Sequence, residues 1–149
     1  MRLTLHTDYA IRTLIYLAVN QDRLATISDI SDGYDISKNH MMKVAQELVH
    51  HGFVVSERGR NGGLRLSRAP SEINMADVVE KMESDFGLVA CLDPARNNCK
   101  ITGVCGAQHV IYEAMQAFLA VLRNYTLQDS VPNPDNIRRV FYAESPAAK

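Results

Sequence analysis

Long apolar runs are missing from this 149-residue chain, although 46% of its residues are hydrophobic. No stretch approaches the roughly 20 consecutive apolar residues that a membrane-spanning helix needs, so no membrane partner is expected. The N-terminal Met1-Arg2-Leu3-Thr4-Leu5-His6 runs straight into the charges of Asp8 and Arg12 and lacks a signal-peptide core, which points to a cytoplasmic location. Also missing are a dinucleotide-binding glycine pattern, a C-x-x-C pair and an acid–base constellation. An electron-transfer or redox enzyme is therefore a poor fit, and no enzymatic activity is expected. Internal repeats and low-complexity tracts are absent too. Cysteine is scarce: there are three, all between Cys91 and Cys105. An odd number in one short segment makes a poor disulfide framework but a plausible ligand set in a reducing compartment.

The length suits one ordinary core with an appendage rather than two independent domains. Net charge is −1, yet it is unevenly spread. Met1 to Pro70 carries nine Lys and Arg against seven Asp and Glu, and Ser71 to Lys149 carries seven against ten. The sharpest bias lies between Ser37 and Pro70, where Lys38, Lys43, Arg58, Arg60, Arg65 and Arg68 face only Glu47 and Glu57. That window is the electrostatic candidate for a phosphate-binding face.

Apolar residues at three- and four-residue spacing from Thr7 to Val19 predict a buried first helix capped by Thr7. A short helix around Ile27 to Ser31 is expected next, capped by Thr26 or Ser28 and stopping near Gly33. Asp35, Ile36 and Ser37 supply a turn and a new cap. Lys38 to His51 keeps Met41, Val44, Ala45 and Leu48 on one face and ends at Gly52. Two short helices about a tight turn are the helix-turn-helix pattern. The period then changes to two, with Phe53, Val55 and Glu57 alternating before Arg58-Gly59-Arg60-Asn61-Gly62-Gly63 and then Leu64 and Leu66. This reads as a hairpin with a basic, glycine-rich tip. The fold class expected is mainly α with a small β hairpin: a winged helix-turn-helix head and a long dimerisation helix.

Residues 1–70 form the DNA-binding head on this reading, 71–86 a connecting helix capped by Asn74, and 87–106 an aperiodic cysteine loop. Residues 107–130 hold a dimerisation helix, expected from Gln108 to Tyr125. Its stripe of Ile111, Ala114, Phe118, Val121, Leu122 and Tyr125 is too broad for one partner. Residues 131–149 form a tail in which Ile137 to Tyr142 make a short helix or strand and Ser145 to Lys149 are disordered.

A reading helix presents its first turn to the major groove, here Ser37, Lys38, Asn39 and His40, with Lys43 one turn on. Asparagine can read adenine and lysine can read guanine. Arg58 and Arg60, with Asn61, Gly62 and Gly63, supply charge and close backbone approach to phosphate at the wing. A solvated helix start would explain the first set alone, but the adjoining basic wing favours double-stranded DNA as the partner.

Seven residues separate Cys91 from Cys99 and five separate Cys99 from Cys105. Three thiolates in one loop suit an iron-sulfur cluster of the 2Fe-2S or 4Fe-4S kind, with one position left for another ligand. Structural zinc with a non-cysteine ligand such as His109, a redox thiol pair or three inert cysteines remain open, although zinc sites usually show closer pairs.

Thr7-Asp8-Tyr9-Ala10, Ser37-Lys38-Asn39-His40-Met41, Arg58 to Leu66, the three cysteines and Asn124-Tyr125-Thr126-Leu127 recur in this order in a known group. Over nearly its whole length the chain resembles the winged-helix iron-sulfur regulators that include the nitric-oxide-sensing NsrR repressors, IscR and RirA. The NsrR-like pattern implies a repressor, a homodimer, a cluster on Cys91, Cys99 and Cys105, nitric oxide as the signal, and Asp8 of the partner subunit as a fourth ligand. Asp8 equally suits its place as a first-turn acidic residue paired with Arg12. The wide Cys91–Cys99 gap is closer to RirA, which would make iron status the signal.

Overall fold

The computed structural model describes residues 2–84 and 86–142. Helix α1, Leu5–Val19, lies at the centre of the head with Ala10, Leu14, Leu17 and Val19 buried; it packs on α3, Lys38–His50, which in turn packs on α2, Ile27–Tyr34. Helix α1 starts earlier than the periodicity suggests. Thr4, not Thr7, is its cap, its hydroxyl accepting from the Thr7 N–H at 3.3 Å. Thr7 is fully buried and its own hydroxyl donates to Glu83 at 2.8 Å. Two threonines three residues apart look alike in sequence, and only the packing of α1 on the end of a later helix tells them apart.

Thr26 caps α2 in a reciprocal box with Asp29: Asp29 N–H donates to the Thr26 hydroxyl at 3.1 Å, and Thr26 N–H donates to the Asp29 carboxylate at 2.7 Å. The helix runs to Tyr34, one residue past the stop expected near Gly33. Asp35 then takes a left-handed φ of 54°, which reverses the chain within one residue. Ser37 caps α3, as its sequence position requires. Met41, Val44, Ala45 and Leu48 form the buried face of α3.

Strands β1, Val54–Glu57, and β2, Gly63–Leu66, pair antiparallel with Val54 opposite Leu66 and Glu57 opposite Gly63. Val54, not Val55, turns into the core, because Phe53 is buried in the turn after α3 and sets the pleat one residue out of the expected phase. Gly62 and Gly63 are glycines because backbone passes too close for a side chain. A Cβ on Gly62 would stand 2.3 Å from the Glu57 carbonyl oxygen, and one on Gly63 would stand 2.9 Å from that of Ala25. The latter contact accompanies a bridge in which Ala25 N–H donates to Leu64 O at 3.0 Å and Leu64 N–H donates to Ala25 O at 2.8 Å. This bridge anchors the wing to the α1–α2 connection.

Helix α4, Met75–Met82, is capped by Asn74 and packs on α1. The segment that follows contains a short 3-10 turn over Ala90–Leu92. Helix α5, Gly106–Arg123, starts two residues before the expected Gln108 and packs along α4. Its C-terminal end is held by Asn74 Nδ2 donating to Arg123 O at 2.8 Å and by the Glu80–Arg123 ion pair. The short helix or strand expected at Ile137 to Tyr142 is helix α6, Pro134–Tyr142, which starts three residues earlier and packs back on α1 and α2. Phe141 lies 5.0 Å, centroid to centroid, from both Tyr16 and Tyr34. Tyr142 donates to Asn20 Oδ1 at 3.0 Å and accepts from Arg23 at 2.6 Å. The expected disorder of Ser145 to Lys149 concerns positions outside the described residues.

Candidate functional site

The first turn of α3 stands clear of the core. Lys38, Asn39, His40 and Lys43 are all exposed, and the Ser37 cap fixes where that turn begins. The His40 ring lies 6.1 Å from Tyr9 of α1, which couples the reading turn to the start of the first helix. On the wing, Arg58, Arg60 and Asn61 are exposed while Gly62 and Gly63 are half-buried. The tight turn closes with Gly62 N–H donating to Gly59 O at 3.0 Å.

The basic residues of this window divide by what they touch. Arg65 pairs with Glu57 at 2.7 Å. Arg68 donates to the carbonyls of Gly52 and Glu72 and lies 5.3 Å above the Phe53 ring, so it braces the hairpin base. Lys38, Lys43, Arg58 and Arg60 have no carboxylate partner among the described residues. They are the cations free to meet phosphate. Sequence counting placed all six in one set; only the folded neighbours separate the two structural arginines.

The second region is an open cavity of about 920 Å³ beneath the N-terminus of α5. Cys91 and Cys105 line it, together with Ser84, Phe86, Gln108 and His109. All three cysteines are free thiols, Cys91 and Cys105 half-buried and Cys99 exposed. Cys105 occupies the cap position of α5, the positive end of a long helix, where an anionic sulfur ligand is favoured. Cys99 sits on a turn whose shape is fixed by Asn97: its Oδ1 accepts from Cys99 N–H at 3.1 Å and from the Thr102 hydroxyl at 3.0 Å. Gln108 clamps the two rims, its side chain donating to Cys91 O at 3.0 Å and accepting from Gly103 N–H at 3.4 Å. A glutamine in the first turn of a helix carries no sequence signal, and its role was missed for that reason.

Among the described residues, no three histidine, cysteine or acidic side chains already converge on one point. The donor set nonetheless fits an iron-sulfur group. Two thiols open on one cavity, the third rides on an exposed turn of the same loop, and the fourth position is left to a donor from elsewhere. His109, at the cavity rim, pairs with Glu113 at 3.3 Å. Asp8 is not among the cavity-lining residues of its own chain. It lies 2.8 Å from Arg12, whose guanidinium also stands 6.0 Å from the Tyr9 ring and 5.7 Å from the Tyr34 ring.

Helix α5 has only Leu119 fully buried. Val110 and Val121, on one face, are 63% and 57% exposed, and Tyr125, just past the helix end, is also open to solvent. An apolar stripe of this breadth is unusual on a lone chain. No helix among the described residues is long and apolar enough to cross a membrane.

The sequence model of Rrf2, described as an iron-dependent transcriptional regulator, matches residues 3–133. The chain belongs to the Rrf2 family. Among its relatives, the HTH-type transcriptional regulator NsrR of Bacillus licheniformis is 49% identical, covering 95% of this chain and 99% of that protein. The regulator of the same name from Bacillus subtilis is 48% identical over 95% of this chain and 97% of its own length. Solved structures share the fold. CymR, the global cysteine regulator of B. subtilis, superposes with a TM-score of 0.71 at 20% identity, covering 89% of this chain and 97% of that one. IscR of T. potens gives 0.72 at 18% identity, covering 99% and 94%. This Rrf2 chain is accordingly a DNA-binding winged-helix transcriptional regulator.

Proposed function

We propose that this Rrf2 protein is a homodimeric repressor whose hold on a pseudo-palindromic operator is set by an iron-sulfur cluster that responds to nitric oxide. The observation that carries the reading is the cavity shared by Cys91 and Cys105 at the head of α5, with Cys99 on the same loop. The NsrR relatives support the assignment. Lys38, Asn39, His40 and Lys43 enter the major groove after the Ser37 cap, Asn39 and Lys38 reading base edges. Arg58, Arg60 and Asn61 hold the flanking phosphates or minor groove, and the tight Gly59–Gly62 turn leading into Gly63 aims them. The exposed stripe of α5 packs against its mate, which brings one subunit's cysteine loop towards the other's head.

Cys91, Cys99 and Cys105 hold the cluster, in 2Fe-2S or 4Fe-4S form, and Asp8 of the partner subunit completes its ligands. When bound, the cluster supplies iron centres that react with nitric oxide. Asp8 holds Arg12 through Oδ2 and keeps Oδ1 for the fourth ligand position, so a change in its hold would bear on the first turn of α1, which touches the reading helix through Tyr9 and His40. A second reading, iron scarcity as the signal, is favoured by the iron-dependent description of the family and by the wide Cys91–Cys99 gap.

The test is the Asp8→Ala dimer, prepared without oxygen. Three thiolates should retain the cluster with altered absorption, while operator affinity responds only weakly to nitric oxide. Unchanged spectrum, unchanged affinity and an unchanged nitric oxide response would sink the Asp8 assignment and leave it as the Arg12 partner.

A further inference from the structure

Glu83 is the last residue of the α4 end, capping it through its N–H to Val79 O at 2.9 Å. The next residue, Ser84, already lines the cysteine cavity. The Glu83 carboxylate is buried and turns away from that cavity towards the start of α1. One oxygen, Oε2, accepts from Thr4 N–H at 2.9 Å, from the Thr4 hydroxyl at 3.2 Å and from the Thr7 hydroxyl at 2.8 Å. A buried acidic group needs such bonds, and here all three come from one helix terminus. Thr4 is also the α1 cap, so loosening Glu83 loosens the cap with it.

The turn of α1 that Glu83 holds reaches the reading helix at two points. His6 Nε2 lies 3.0 Å from Glu47 Oε2, and the Tyr9 ring lies 6.1 Å from His40. A continuous chain of contacts thus runs from the base of the cysteine loop through Glu83, Thr4 and Thr7 to α3 at Glu47 and His40. We propose that Glu83 is a positioning residue that carries the state of the cysteine loop to the reading helix within one subunit. This intrachain route rests on the proposed cluster site but is separate from the Asp8 contact between subunits. Its logic is that of a strut: displacement of the α4 end moves the α1 cap, and α1 moves α3.

Two measurements on the full-length dimer test it. In metal-free protein, Glu83→Ala should raise amide exchange over residues 5–9 and also over 38–43, leaving the hairpin unchanged. In cluster-loaded protein, the loaded-to-metal-free ratio of operator affinity, expected in the range of about 5–150-fold for coupled sites, should fall to about twofold or less while iron and sulfide stay bound. Glu83→Gln keeps an oxygen acceptor and should restore most of the ratio. Thr7→Val, which keeps the buried shape and removes one donor, should give an intermediate value. The proposal is overturned if Glu83→Ala keeps the parental ratio, or if exchange rises at 5–9 but not at 38–43. A parent that binds no iron or sulfide would defeat the cluster reading alone, and the exchange measurement would then decide the strut by itself.

Discussion

Replacing Gly63 by alanine should detach the wing from the head without altering a single charge. The new Cβ would stand 2.9 Å from Ala25 O and 3.0 Å from Leu24 Cβ, inside ordinary contact distance and against backbone that cannot swing aside. Relief requires the strand to move off Ala25. The bonds at risk are the two of the bridge, 3.0 and 2.8 Å long, each contributing about 1 kcal/mol net. A loss of about 2 kcal/mol lowers Tm by roughly 4–8 °C in a chain of this size. The β1–β2 pairing itself survives, so Arg58 and Arg60 remain on a hairpin that is no longer aimed. Calorimetry should show the fall in Tm, and a salt titration of operator binding should show a shallower slope as wing phosphate contacts are lost. An alanine variant with the parental Tm and the parental salt slope would refute both the bridge and the role of the wing.

Arg60→Ala should weaken binding to operator and random DNA alike and reduce the salt slope by about one, whereas Asn39→Ala should mainly relax base preference; competition titrations separate the two. Val121→Asp places a charge in the open stripe of α5 and should convert dimer to monomer in sedimentation, and an unchanged dimer would move the interface elsewhere. Burial pushes the Tyr34 hydroxyl up to about 12, and burial likewise raises Tyr16. Both folded values exceed the unfolded value of 10.0, so each contribution is complete below pH 10 and declines above it, that of Tyr34 being lost as pH rises through about 12. Tyr34→Phe should flatten that alkaline decline in stability, read by melts between pH 9 and 12.

The sequence by itself determined the elements whose reasons are local. The Ser37 cap, the apolar face of Met41, Val44 and Leu48, the glycine-closed hairpin and the cysteine loop each follow from residues within a few positions of one another. Tertiary structure decided what depends on distant partners. Thr7 looks like a cap until Glu83, 76 residues away, claims its hydroxyl. Arg65 and Arg68 look like DNA-facing cations until Glu57 and the carbonyls of Gly52 and Glu72 occupy them. Ile137 to Tyr142 reads as a short helix or strand with no evident partner until Phe141 and Tyr142 meet Tyr16, Tyr34 and Asn20. Periodicity reports which side of an element is apolar, because burial repeats with the backbone. It is silent on which polar group meets which across the fold, since a hydrogen bond is fixed by the approach of two atoms and not by the spacing of either chain segment.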